Sequence, residues 1–240
     1  MAAALYALCV SFQLGSDIFA FSKLRLPDEM EPLLSGENLT CIRGDRLVFY
    51  GLDFSVEAGG MLLLTGRNGS GKTSLLRLMA GIVRPSEGAL LYCGNDCRED
   101  PEAHRADIHY VAHYDASKPA LTVRENFAFW VELYGGGDVD AGLDAFGLTA
   151  LSELPAQFLS AGQTRRLALA RLAAIDAGLW LLDEPTVGLD SASLQSLRTL
   201  IASHRAGGGA VIASTHSDLH FADAVTLDVS AFAPERPLAP

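Results

Sequence analysis

The chain has 240 residues, 49% of them hydrophobic, which is enough for one large α/β domain with a well-buried interior and excludes a disordered polymer. A formal net charge of −11 and a pI near 4.9 argue against a sequence-independent nucleic-acid surface, which needs clustered Lys and Arg, so no nucleic-acid partner is expected. Four cysteines, Cys9, Cys41, Cys93 and Cys97, are too few and too irregular for a disulfide framework. Cys93-x-x-x-Cys97 with His104 fits no common zinc pattern, and no run reaches the roughly 18 apolar residues of a membrane span.

In chain order, residues Met1 to Glu29 are apolar in their first half, but the first cations, Lys23 and Arg25, follow the apolar part, the reverse of a signal peptide. We expect 1–29 to be a leader or a mis-assigned start with Met30 as the true beginning, a single domain over 30–233, and a Pro-rich tail over 234–240. Met61-Leu62-Leu63-Leu64-Thr65 is a short continuous apolar run of the kind a buried parallel strand requires. It leads straight into Gly66-Arg67-Asn68-Gly69-Ser70-Gly71-Lys72-Thr73, with Ser74 next and a helix expected from Thr73 to Ala80 on Leu75, Leu76, Leu78 and Met79. Strand, glycine-rich loop and helix together make a phosphate loop. Its glycines let successive N–H groups curl around phosphates, the helix aims its positive end at them, Lys72 adds a point charge, and the Thr73 hydroxyl is a Mg²⁺ ligand.

Thr122-x-x-Glu125 reads as a capping box opening a helix with Phe127, Trp130, Val131 and Tyr134 on one face, stopped by Gly135-Gly136-Gly137, and a second helix is expected around Val139 to Phe146. The aromatic stripe reads as core. Further on, Ser160 in Leu159-Ser160-Ala161-Gly162-Gln163 can cap a helix starting near Gln163, which gives a second anion-binding helix end. Leu179-Trp180-Leu181-Leu182 is another buried strand, ended by Asp183, which would hold Mg²⁺. Glu184 follows, placed to orient and deprotonate an attacking water. Gly188-Leu189-Asp190 comes next, and a last apolar strand over Gly209 to Ser214 ends in Thr215-His216.

Taken in order, Gly66 to Thr73, Leu159 to Gln163, Leu179 to Glu184, Gly188-Leu189-Asp190 and His216 resemble the principal motifs of ATP-binding-cassette (ABC) transporter nucleotide-binding domains, over roughly Leu33 to Val229. The resemblance implies an α/β fold: a P-loop NTPase (RecA-like) core with a mixed sheet, an N-terminal antiparallel β part and a small helical subdomain over about 114–165. It implies ATP and Mg²⁺, catalysis by Lys72 and Glu184, and His216 as the switch histidine that senses the γ-phosphate. It also implies that Ser160, Ala161, Gly162, Gln163 and Asp190 of one subunit close on the ATP held by another, in a homodimer. In such cassettes a groove beside the helical subdomain receives a helix of the membrane partner, which makes Phe129 and Trp130 candidate contacts. Arg43 stands where most cassettes carry a Tyr that stacks on adenine, a contact Arg can replace by a cation–π interaction. His113 stands where most carry the Gln that links Mg²⁺ and the lytic water to the membrane subunit. With the Ala of Leu159-Ser160-Ala161-Gly162-Gln163, these departures look like the haem exporter ATPase of bacterial cytochrome c maturation. That likeness implies integral membrane permease subunits as partners and a peripheral place on the cytoplasmic face of the inner membrane. The alternatives are the ATPase of another ABC importer or exporter, or a soluble non-transport cassette, which a single phosphate loop and an acidic chain disfavour.

Overall fold

The computed structural model describes residues 31–113, 116–215 and 219–234, so the expected leader, His216 and the tail beyond Pro234 lie outside the described residues. In chain order the strands are β1 (Leu34–Arg43), β2 (Arg46–Val56), β3 (Met61–Thr65), β4 (Glu87–Tyr92), β5 (Asn95–Asp96), β6 (Ile108–Val111), β7 (Leu179–Asp183), β8 (Ala210–Ser214) and β9 (Val225–Asp228). The helices are α1 (Lys72–Met79), α2 (Pro101–Ala106), α3 (Val123–Leu133), α4 (Val139–Ala145), α5 (Ala161–Ala174) and α6 (Ser191–Ala206). Among the described residues no helix is long and apolar enough to cross a membrane.

The expected β architecture is realised as two sheets. β1 pairs antiparallel with β2 on one side and β4 on the other, giving the order β2-β1-β4-β5, while the core sheet is parallel in the order β6-β7-β8-β3-β9. All five residues of β7 and of β8 are buried, as a strand covered on both faces requires. Because side chains alternate across a strand, the central strands feed two hydrophobic cores. Leu62, Leu64, Leu179, Leu181, Ala210 and Ile212 pack with α1 and the antiparallel sheet. Met61, Trp180, Leu182, Val211 and Ala213 pack with α3, α5 and α6.

The helical part forms largely as its sequence dictates. Thr122 caps α3 with the expected reciprocal box to Glu125, and Phe127 and Val131 are buried, while Trp130 and Tyr134 are half-buried and Phe129 is exposed. Asn126, inside the helix, does a job no periodicity signals. Its side-chain N–H groups donate to the carbonyls of Lys118, Leu121 and Thr122 and its Oδ1 accepts from the Lys118 N–H at 2.7 Å, so it staples the preceding loop to α3. In the parallel sheet the register pairs Asp183 with Ser214, Leu64 with Ser214 and Leu182 with Val111, which brings four strand ends to one edge. Ligands of open parallel sheets bind at that edge.

Candidate nucleotide site

The loop after β3 wraps toward α1. Gly71 caps α1 at φ 109°, where a side chain would be strained and a Cβ would lie 2.7 Å from Val48 Cγ1, so only glycine fits. Lys72 is 7% exposed, and its Nζ donates to the carbonyls of Gly66 at 2.7 Å and Arg67 at 3.4 Å, which holds its charge inside the loop. The Arg67 N–H donates to Ser230 Oγ at 3.1 Å and anchors the loop from outside. Ser70 Oγ is buried with no hydrogen-bond partner, on the side of the loop where a Cβ at Gly66 would meet it together with Ser230 Oγ and Asp228 Oδ1.

Asp183 closes the site from the next strands. It is 1% exposed, and its Oδ1 accepts from Ser214 Oγ at 2.7 Å and from Thr73 Oγ1 at 3.2 Å, while its Oδ2 is buried and accepts no hydrogen bond. A hydroxyl and a carboxylate with one unengaged oxygen form a hard-oxygen donor set that fits a divalent cation such as Mg²⁺. Glu184 adopts φ 49°, in the left-handed region that non-glycine residues seldom occupy. Its N–H donates to the Ser214 carbonyl at 3.0 Å and reaches Ser214 Oγ at 3.1 Å. Ser214 thus links the backbone of one acidic residue to the carboxylate of the other.

A cavity of about 890 Å³ opens above these groups and is lined, among others, by Asn68, Gly69, Lys72, Thr73, Ser74, Asp183 and Glu184. Arg43 and His113, placed by resemblance alone, also line it, as do Gly71, Val48, Arg46 and Arg77. Arg43, Arg46, Lys72 and Arg77 concentrate positive charge in a chain of net charge −11, the local field a polyphosphate requires. Gly66, Arg67 and Ser70 do not line this cavity; Arg67 and Ser70 line a smaller neighbouring one with Arg46 and Asn68.

Ser160, Ala161, Gly162, Gln163 and Asp190 do not line the cavity. Ser160 caps α5 with a reciprocal box: its Oγ accepts from the Gln163 N–H at 3.3 Å, and Gln163 Oε1 accepts from the Ser160 N–H at 2.8 Å. Ala161 is the first residue of α5, exposed and without positive φ, so its methyl group meets no conformational obstacle. Gly162 is different, because a Cβ there would lie 2.8 Å from the Gly188 carbonyl oxygen. Asp190 caps α6, accepting from the Ser193 N–H at 2.8 Å.

Sequence reasoning missed Ser214, Arg46, Arg77 and above all Arg165. That arginine is 5% exposed and donates from Nη1 to the Ala112 carbonyl at 2.7 Å, and from Nη2 to the carbonyls of Asp183 at 2.7 Å and Glu184 at 2.9 Å. The overlooked signal is helical spacing: Arg165 shares a stripe with Ala168, Leu169 and Leu172, all buried, so a cation there needs internal partners.

A phosphate loop between a buried parallel strand and a helix, facing a carboxylate pair at the end of β7, which β8 separates from β3 in the same sheet, defines a P-loop NTPase. Residues 49–187 match the ABC transporter family profile. The chain is 52% identical over 209 residues to the cytochrome c biogenesis ATP-binding export protein CcmA of Rhodospirillum rubrum, a match covering 86% of this chain and 90% of that protein. It is 44% identical to the CcmA of Nitrosococcus oceani, over 87% of this chain and 97% of the relative. Among solved structures, a bacterial Atm1-family ABC exporter with ATP bound superposes with a TM-score of 0.73 at 23% identity, over 83% of this chain and 38% of that one. An ATP-binding subunit of an ABC transporter superposes with a TM-score of 0.70 at 24% identity, over 77% of this chain and 79% of the other. The chain belongs to the ABC transporter family and, within it, to the cytochrome c biogenesis ATP-binding export proteins. It is an ATPase that binds ATP.

Proposed function

We propose that this chain is the ATP-hydrolysing subunit of an ABC membrane complex that drives haem export or delivery for cytochrome c biogenesis. The observation that carries the chemistry is the meeting of Lys72, Thr73, Asp183 and Glu184 around one cavity. The loop N–H groups, the positive end of α1 and Lys72 bind the β- and γ-phosphates of ATP. Thr73 and Asp183 would hold Mg²⁺, which when bound neutralises charge on the phosphate oxygens. Glu184 orients and deprotonates the attacking water, which breaks the γ-phosphoryl bond and releases ADP and phosphate. Arg43 stacks on the base, His113 takes the place of the usual Gln beside the lytic water, and His216 senses the γ-phosphate.

The signature residues act in trans. Ser160 and Ala161 are exposed at the N-terminus of α5 and away from the cavity of their own chain, which supports a head-to-tail homodimer in which Ser160, Ala161, Gly162, Gln163 and Asp190 cover the partner's nucleotide. Integral permease subunits hold the dimer on the cytoplasmic face of the bacterial inner membrane. Phe129, 46% exposed with Lys118 Nζ 4.7 Å from its ring, and Trp130, covered by Arg171 at 4.6 Å, belong to the surface that meets them.

Sizing chromatography with Mg-ATP tests this reading. Glu184→Gln is expected to bind ATP and accumulate as a nucleotide-bound dimer, whereas Lys72→Ala binds poorly and stays monomeric. A Glu184→Gln protein that remains monomeric in saturating ATP counts against the composite site, and one that hydrolyses ATP at the parent rate counts against Glu184 as the base.

A further inference from the structure

Arg165 does not line the cavity, yet it reaches three backbone carbonyls at the cavity's edge. Those carbonyls belong to Ala112, which immediately precedes His113, to Asp183, and to Glu184. A guanidinium is suited to this task, since it stays charged at every accessible pH and presents its donors in a rigid fork. A lysine has one compact ammonium and cannot reproduce the fork.

The arrangement bears on Glu184 in particular. A left-handed conformation at a glutamate persists only where the surroundings over-determine it. Here both of its backbone polar groups are held: the N–H by Ser214, and the carbonyl by Arg165 at 2.9 Å. Holding the amide on one side and the carbonyl on the other fixes where the Cα–Cβ bond points, and hence where the carboxylate enters the cavity. We infer that Arg165 is a positioning residue for hydrolysis: from the first turns of α5 it sets the backbone that aims Glu184 and, through Ala112, the start of the loop that carries His113.

The inference rests on the proposed reading of Glu184 as the base, and the two can fail separately. Full chains carrying Arg165→Lys and Arg165→Met are purified with their membrane partners and assayed for ATP hydrolysis. ATP binding is measured in the same variants on the Glu184→Gln background, where turnover does not obscure it. A misaimed base costs about 10- to 100-fold in kcat. The expected result is that loss, larger for Met than for Lys, with KM and the dissociation constant for Mg-ATP within about threefold of the parent. Intact ATP binding also certifies the fold. Two results overturn the inference: kcat within threefold of the parent in both variants, or ATP affinity lost in step with kcat, which assigns Arg165 a structural role only. Parent-like hydrolysis by Glu184→Gln alone sinks the reading of the base instead.

Discussion

His109 in β6 is fully buried, stacks on Tyr134 with ring centroids 5.0 Å apart, and neither of its ring nitrogens has a hydrogen-bond partner. Burial, assisted by the nearby positive charge of Arg171, pushes its pKa down from 6.5 to about 3. The native protein therefore keeps this ring neutral while the unfolded chain protonates it below 6.5. Stability is complete above that pH and falls as pH drops from 6.5 toward 3, by at most about 1.4 kcal/mol per pH unit from this group. His109→Phe keeps the stacked ring and removes the titration, so denaturant midpoints measured between pH 7 and 4 are expected to decline less steeply than in the parent. His104 and His204, also lowered by burial, remain in both proteins and cancel. An unchanged slope refutes the assignment. At this scale the sequence revealed positions tied to a local spacing: Gly71, Lys72 and Thr73 stand at the start of α1, Asp183 at the end of β7 and Ser160 at the cap of α5. Arg165 and Ser214 act across the fold on groups 18 to 53 positions away, and no local spacing encodes such a partner.

Elements were legible where the chain states them twice. Thr122 with Glu125 and Ser160 with Gln163 are reciprocal caps, and both helices begin at the next residue. The apolar runs of β3, β7 and β8 announced buried parallel strands. The docking of one element on another was not visible, as the entry to α5 shows. Gly162 in its first turn lies against the loop before α6, with Gly188 near enough that an added Cβ would meet its carbonyl at 2.8 Å. Backbone carbonyls do not rotate aside like the end of a side chain, so Gly162→Ala forces α5 and the loop apart. The expected loss of stability is about 1–3 kcal/mol, the usual cost of overpacking, read as a lower denaturant midpoint. Ala161→Gly, one residue earlier on the exposed side, is expected to shift that midpoint by under about 0.5 kcal/mol. Equal effects at the two positions would contradict this packing.

At the scale of the whole molecule, the order of motifs made strand-rich and helical halves readable, because each motif falls at a strand end or a helix start. How tightly the halves are joined was not. The cores on the two faces of the parallel sheet are built from alternate residues of the same strands: Leu179 and Leu181 belong to one, Trp180 and Leu182 to the other. Backbone cannot melt on one face only. Both tryptophans report on the helical side, Trp180 in its core and Trp130 on α3, while Cys41, fully buried in β1, reports on the other. In a variant retaining Cys41 as its single cysteine, tryptophan fluorescence and thiol trapping during urea unfolding are expected to give coincident midpoints, and separated transitions would show two independent units. A ligand that stabilises the nucleotide-binding face then protects the helical face to the same degree, by thermodynamic linkage through shared strands and without a contact of its own.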